Sequence, residues 1–139
     1  MNRDTFKIIH SELIQQVQCI ENNLKTMYAA MHEGNFSCNL KAVEKMNLGK
    51  IARELKNLDN SDGLPEFSEK EYRTIDEIRI IRNYWCHQCY LDFVYIKHDY
   101  ERERAFQNVA SKLHHDEFRT YDLFRKTEEM LSFVMQKYR

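Results

Sequence analysis

Only three glycines and one proline interrupt this chain of 139 residues, and the scarcity of chain-breaking residues is what most restricts its fold. A many-stranded sheet needs tight turns, which glycine and proline favour. Between these breakers, apolar residues recur every three or four positions, which is the spacing of one face of a helix. We therefore predict an all-α protein, an antiparallel bundle of four or five helices that forms a single domain over residues 1–139.

The apolar spacing outlines the first two helices. The first helix carries a continuous apolar stripe and ends at Gly34. Residues 35–46 have no clean period and are predicted as a loop with room for one helical turn. The next helix begins after Asn47, whose side chain can accept a hydrogen bond from a first-turn amide, and it ends in the polar segment 59–65. The stripe of the first helix consists of Phe6, Ile9, Leu13, Val17, Ile20, Leu24, Met27 and Met31.

The second half of the chain predicts longer helices. Ser68 and Glu71 have the spacing of a capping box, and no breaker follows, so this helix should run most of the way to Lys97. From Tyr100 onward we predict one long helix, or two with a break near His114. The expected inward stripe consists of Phe106, Ala110, Leu113, Glu117, Tyr121, Phe124, Glu128, Leu131, Met135 and Tyr138.

The charge balance and the apolar segments exclude several classes of protein. Lys and Arg number 21 against 22 Asp and Glu, so no global positive field attracts nucleic acid, and any RNA contact must be local. No segment is typical of a signal peptide or a membrane span, so we expect a cytoplasmic protein with no membrane partner. The four cysteines are unevenly placed, and we expect reduced thiols rather than a disulfide framework.

A polar cluster interrupts the apolar helix that follows Ser68. Arg82 has the planar fork that suits a phosphate, and His87 can exchange a proton near neutral pH. Asn83 lies one helical turn before His87 and can orient the imidazole. These groups suit cleavage of RNA without a metal, since the 2′-hydroxyl supplies the nucleophile. Arg82 and His87 are five residues apart and point away from each other, so they converge only if the Arg side chain swings round or a second copy completes the site.

Other interpretations of this region stay open. Arg82 can pair with Glu77 or Glu71 on the surface, while His87 is a partly buried, hydrogen-bonded histidine. Cys86 and Cys89 form a Cys-x-x-Cys pair that can begin a zinc site with His114 or His115, but a second closely spaced ligand pair is missing. We therefore predict no metal and no cofactor. A local basic patch is conceivable on the last helix, at Lys112, His114, His115, Arg119, Arg125 and Lys126.

The segment 82–87, Arg-Asn-Tyr-Trp-Cys-His, resembles the signature of HEPN domains. That signature is an Arg, a polar residue directly after it, a short spacer and a His, with aromatic residues behind. HEPN domains are small bundles of four or five helices that carry the motif on a late helix. They commonly pair as dimers, and many of them cleave RNA without metal at a composite site in the dimer cleft.

The resemblance implies a homodimeric endoribonuclease, related to toxins or to phage defence and stress responses. His87 would be the general base or acid, Arg82 would bind the scissile phosphate, and Asn83 would orient. Tyr84 and Tyr90 are candidate substrate-binding residues. The alternative is a non-catalytic HEPN-like module that binds RNA, nucleotide or protein through the same cleft.

The resemblance also implies a possible antitoxin partner, such as a nucleotidyltransferase. In the family branch that such an antitoxin modifies, a Tyr lies two residues after the motif His. Here that position is Cys89, and Tyr90 follows one step later. This departure argues against modification of Tyr90 and leaves defence or stress roles open.

Overall fold

The structure is a computed structural model that describes residues 1–139. It contains five α-helices, one 3₁₀ turn and no strand, which confirms the predicted all-α bundle. The helices are α1 (Arg3–Met31), α2 (Phe36–Val43), α3 (Leu48–Asn60), α4 (Glu69–His87) and α5 (Asp99–Tyr138), and the 3₁₀ turn (Cys89–Asp92) lies between α4 and α5.

Helices that follow one another in the chain run in opposite directions. Contacts between α1 and α5 join residues near both starts, such as Arg3 and Glu103, and residues near both ends, such as Asn23 and Thr127. These two helices are therefore parallel. The end of α4, at Trp85, lies beside the early part of α1, so α4 is antiparallel to both. The result is an up-and-down bundle, the arrangement that short connections favour.

One hydrophobic core runs through the bundle, and its aromatic end fixes the motif segment. The ring of Phe6 lies 6.4 Å from that of Trp85, 6.1 Å from that of Phe93 and 5.3 Å from that of Phe106. This cluster joins α1, the end of α4, the segment after it and α5. Because aromatic rings bury large areas, the cluster holds the last turns of α4 in one position.

Two predicted helix starts are confirmed. The Asn47 side chain accepts a hydrogen bond of 2.8 Å from the Lys50 amide, so α3 begins where the sequence predicted. Ser68 and Glu71 form the reciprocal bonds of a capping box at the start of α4. Both caps join residues three positions apart, so their residue types alone reveal them.

The prediction of a loop over residues 35–46 was wrong. Residues 36–43 form the two-turn helix α2, and the Asn35 side chain caps it with a 3.0 Å bond from the Cys38 amide. Val43 is the only fully buried residue of this helix, so the apolar period is too short to detect. The Asn39 amide donates to the carbonyl oxygens of Ala29, His32 and Glu33, and it holds α2 against the end of α1.

The prediction that the motif helix continues toward Lys97 was also wrong. The helix ends at His87, and a 3₁₀ turn follows. Asp92 closes this turn by accepting hydrogen bonds from Tyr84 Oη at 2.6 Å and from Gln88 Nε2 at 2.9 Å. The turn buries Phe93 against the aromatic cluster. Tertiary packing therefore overrides a local sequence that contains no helix breaker.

The last helix is continuous over 40 residues, without the break considered near His114. Beyond Leu113 its buried face is offset by one position from the predicted stripe, and Tyr121 is 52% exposed. The buried positions there are Asp116, Thr120, Leu123, Thr127, Met130 and Val134. The predicted stripe was misplaced because three residues of the buried face, Asp116, Thr120 and Thr127, are polar. The apolar pattern therefore selected the positions one residue later, which include Tyr121.

None of the five helices is apolar over a stretch long enough to cross a membrane. The four cysteines form no disulfide.

Candidate active site

The predicted site residues lie on the last two turns of α4. This helix turns Ile78, Ile81 and Trp85 into the core. With about 100° of rotation per residue, Arg82 falls on the flank of that buried face, and His87 falls about 140° further round, toward solvent. Arg82 is accordingly half-buried and His87 is exposed. Within one chain, the two side chains therefore leave the helix in different directions, and no hydrogen bond joins them.

Arg82 has no carboxylate partner. Its Nε atom is buried and makes no hydrogen bond. Glu77, one of the partners considered for it, binds Arg119 through two bonds of 3.0 and 2.7 Å, and Glu71 closes the capping box at Ser68. A buried donor without an acceptor costs about 1–3 kcal/mol and calls for an explanation, such as a role in binding.

Asn83 and His87 are both free of hydrogen bonds through their side chains. Asn83 is half-buried, and the exposed His87 imidazole can reach solvent and any molecule that docks on this end of α4. The amide and the imidazole share a face of the helix, as their spacing predicted, but they are not bonded to each other. His87 is therefore not the partly buried, hydrogen-bonded histidine of the alternative interpretation.

Tyr84 lies on the opposite flank of α4 from Arg82 and contributes to packing. Its hydroxyl donates to Asp92, and the Lys112 ammonium on α5 lies 4.6 Å from the centre of its ring. Burial, together with the bond to Asp92, raises the pKa of Tyr84, while this bond and that of Gln88 lower the pKa of Asp92. These contacts tie the 3₁₀ turn to α4 and α5.

Tyr90 lies at the rim of the aromatic cluster. Its ring packs edge-on against Phe6 at 5.8 Å and against His10 at 5.6 Å, and it keeps 39% of its surface exposed. Neither candidate substrate-binding tyrosine hydrogen-bonds to Arg82, since Tyr84 donates to Asp92 and Tyr90 packs against Phe6 and His10.

The Cys86 and Cys89 thiols have different surroundings. Cys86 is exposed as a residue, but partial desolvation of its sulfur raises the pKa of the thiol, and the nearby Arg82 guanidinium offsets part of this shift. Cys89 is buried, with its sulfur 3.7 Å from His10 Nε2, and burial raises its pKa to about 11. No group of three or more His, Cys, Asp or Glu side chains is arranged to hold a metal ion.

Two features of this region escaped the sequence analysis. Asp116 is a buried carboxylate that accepts a 2.8 Å hydrogen bond from the Trp85 indole. No sequence signal marks it, because it stands in a polar stretch of α5. The second feature is a basic groove between α3 and α4, to which Lys50, Arg53 and Lys56 contribute. Their regular spacing of three residues was a signal for one basic helix face.

Comparison of the chain with models of protein families, with characterised proteins and with solved structures gave no match.

Proposed function

We propose that this chain is a metal-independent endoribonuclease of the HEPN type. Its composite site pairs Arg82 of one copy with His87 of a second copy, so the active form is a homodimer. The observation that carries the proposal is that Arg82 and His87 have no partner within the chain, although they lie on the same two turns of α4. The angle between them, about 140°, directs the two side chains of one chain apart, which favours a site completed by a second copy.

The chemistry needs only the side chains of this segment and the RNA. His87 takes the proton of the 2′-hydroxyl, the 2′-oxygen attacks phosphorus, and the bond from phosphorus to the 5′-oxygen breaks. The leaving 5′-oxygen takes a proton from water, and His87 releases its own proton to the solvent. The products are a 2′,3′-cyclic phosphate and a 5′-hydroxyl. Arg82 neutralises the charge that develops on the phosphate oxygens, and Asn83 orients the phosphate or the imidazole.

The surface beside the motif supports pairing of two copies. Leu91, Val94 and Tyr95 follow the motif directly and are 52%, 48% and 77% exposed. An apolar surface of this kind is typical of an interface. A second copy that covers it would bring its own α4 close to the first, because the motif and this surface are adjacent in the chain.

The resemblance to HEPN domains supports the biological side of the proposal. In this role the chain acts in the cytoplasm as a toxin, or in phage defence or a stress response. As a toxin it would be restrained by a cognate antitoxin, and Cys89 at the position of the modified Tyr argues against restraint by modification of Tyr90.

An RNase assay in EDTA tests the proposal. The unaltered chain should cleave RNA, and Arg82→Ala and His87→Ala should each lower the rate by about 10²–10⁴-fold, the usual contribution of such groups. The matched controls are His114→Ala and Arg125→Ala, which remove an exposed His and an exposed Arg from α5. Full cleavage by both motif variants, with helicity preserved by circular dichroism, would exclude the proposal.

A second candidate function is a non-catalytic HEPN-like module that binds RNA. The separation of Arg82 from His87 within one chain favours it, since binding needs no convergence of the two groups. This candidate predicts RNA binding without cleavage, in the same buffer and over the full period of the assay.

A further inference from the structure

A groove between α3 and α4 collects unpaired positive charge. The groove encloses about 620 Å³. Five of its lining residues are cations, Lys50, Arg53, Lys56, Arg73 and Arg79, and two are carboxylates, Glu69 and Asp76. The difference is three positive charges, in a chain whose overall net charge is −1.

The two carboxylates are already paired with lining cations. Lys56 lies 3.5 Å from Glu69, and Arg79 lies 3.0 Å from Asp76. Lys50, Arg53 and Arg73 have no ion-pair partner, and all three are exposed. The excess charge is therefore available to a ligand rather than cancelled within the protein.

The groove leads toward Arg82. Arg79 lines it on α4, and Arg82 follows three residues later, so the two side chains are neighbours on the helix surface. On the α3 side, Gly49 has no side chain and lets the helix approach the Arg79 stem, where an added Cβ would lie 3.4 Å from Cδ. The groove thus ends about one helical turn before Arg82, whose Nε atom has no hydrogen-bond partner.

We propose that this groove binds the phosphodiester backbone of RNA and directs it toward Arg82. The identity of the polyanion rests on the proposed ribonuclease function, while the binding rests on the charges of the groove. Lys and Arg neutralise phosphates whatever the base sequence, so the groove contributes affinity and orientation rather than sequence preference. With the three excess positive charges of the groove set aside, the rest of the chain carries a net charge of −4, which does not favour binding of a polyanion.

The test is fluorescence anisotropy with a labelled single-stranded RNA, in a His87→Ala background that prevents cleavage. The groove variant is Lys50→Gln, Arg53→Gln and Arg73→Gln. The control, Lys97→Gln, Arg104→Gln and Arg125→Gln, removes the same number of exposed Lys and Arg residues from elsewhere. The groove variant should bind about tenfold more weakly and should reduce the salt slope by about 2, whereas the control should stay within about twofold. Arg53→Glu alone should weaken binding in the same direction.

Several outcomes would overturn the inference. They are equal losses in the groove variant and the control, no loss in the groove variant, and no binding of RNA by the parent. Cleavage of RNA by the unaltered chain together with an unaffected groove variant would reject the groove and keep the nuclease. Loss of binding in the groove variant, with no cleavage by the unaltered chain, would keep the groove and reject the nuclease.

Discussion

The indole nitrogen of Trp85 donates a hydrogen bond of 2.8 Å to Asp116 Oδ2, and this bond joins α4 to α5 inside the core. Trp85 stands within the motif, between Arg82 and His87. Lys112 Nζ and His115 Nδ1 also approach the Asp116 carboxylate, at 3.5 and 3.2 Å. The bond therefore sets the rotation of the last turns of α4, and with it the directions of Arg82 and His87.

We expect Asp116→Ala to destabilise the protein by about 1–3 kcal/mol, because the buried Trp85 N–H loses its acceptor. Asp116→Asn should cost less, since its amide oxygen can still accept. Urea unfolding measures both changes. In a Trp85→Phe background, which has no donor, Asp116→Ala should cost clearly less. An equal cost in the two backgrounds would show that the bond contributes nothing.

In the acid range, the free energy of unfolding of the Tyr84→Phe variant should depend less on pH than that of the unaltered chain. The bonds from Tyr84 and Gln88 lower the pKa of Asp92 in the folded protein. A carboxyl group whose pKa is lower in the folded protein stabilises the fold at any pH above its pKa in the unfolded chain, near 3.9. This stabilisation is lost as the pH falls toward the pKa of the folded state. The stability difference between the unaltered chain and Tyr84→Phe should therefore be constant near neutral pH and shrink below about pH 4. Because Asp92 is exposed, we expect less than about 1 kcal/mol.

The comparison for this experiment is Tyr28→Phe, at a half-buried tyrosine of α1. Its stability difference should not change through the same range of pH. If the stability difference between the unaltered chain and Tyr84→Phe stayed constant down to low pH, the Tyr84 hydroxyl would not be what lowers the pKa of Asp92.

Mixing two inactive variants should restore activity if the site is composite. A dimer of one Arg82→Ala chain and one His87→Ala chain retains one site with both functional groups. After random exchange of subunits, half of the dimers are mixed, and each mixed dimer has one intact site out of two. About a quarter of the original rate should therefore return. Single-turnover cleavage in EDTA measures it. The composite site would be rejected if native mass spectrometry verified mixed dimers and no cleavage activity returned. In that case either Arg82 and His87 of one chain form the site, or the chain is not a nuclease.

Cys89 should resist alkylation while the protein is folded. The residue is 2% exposed, and burial raises the pKa of its thiol to about 11. Iodoacetamide reacts with the thiolate, so we expect labelling on the order of a hundredfold slower than for a free cysteine. Mass spectrometry of peptides compares it with the exposed Cys19 and Cys38 in the same sample. Equal rates at the three positions would mean that the 3₁₀ turn opens readily.

The sequence by itself determined the class of fold and the features that depend on near neighbours. The scarcity of glycine and proline, with the helical apolar period, predicted an all-α bundle. The caps at Asn47 and Ser68 were predicted to the residue, because each joins groups three positions apart. The chemical types of the motif, a guanidinium, an amide and an imidazole, were likewise fixed by the residues at 82, 83 and 87.

Only the tertiary structure decided where α4 ends, which face of α5 is buried and where unpaired charge collects. The helix ends at His87 because Phe93 packs against Phe6, which is distant in the chain. The buried face of α5 includes Asp116 because Trp85, 31 positions earlier, supplies its hydrogen bond. Local patterns carry no information on such partners, since packing between distant segments selects among conformations that local sequence leaves nearly equal. The basic groove likewise exists only because α3 and α4 pack side by side.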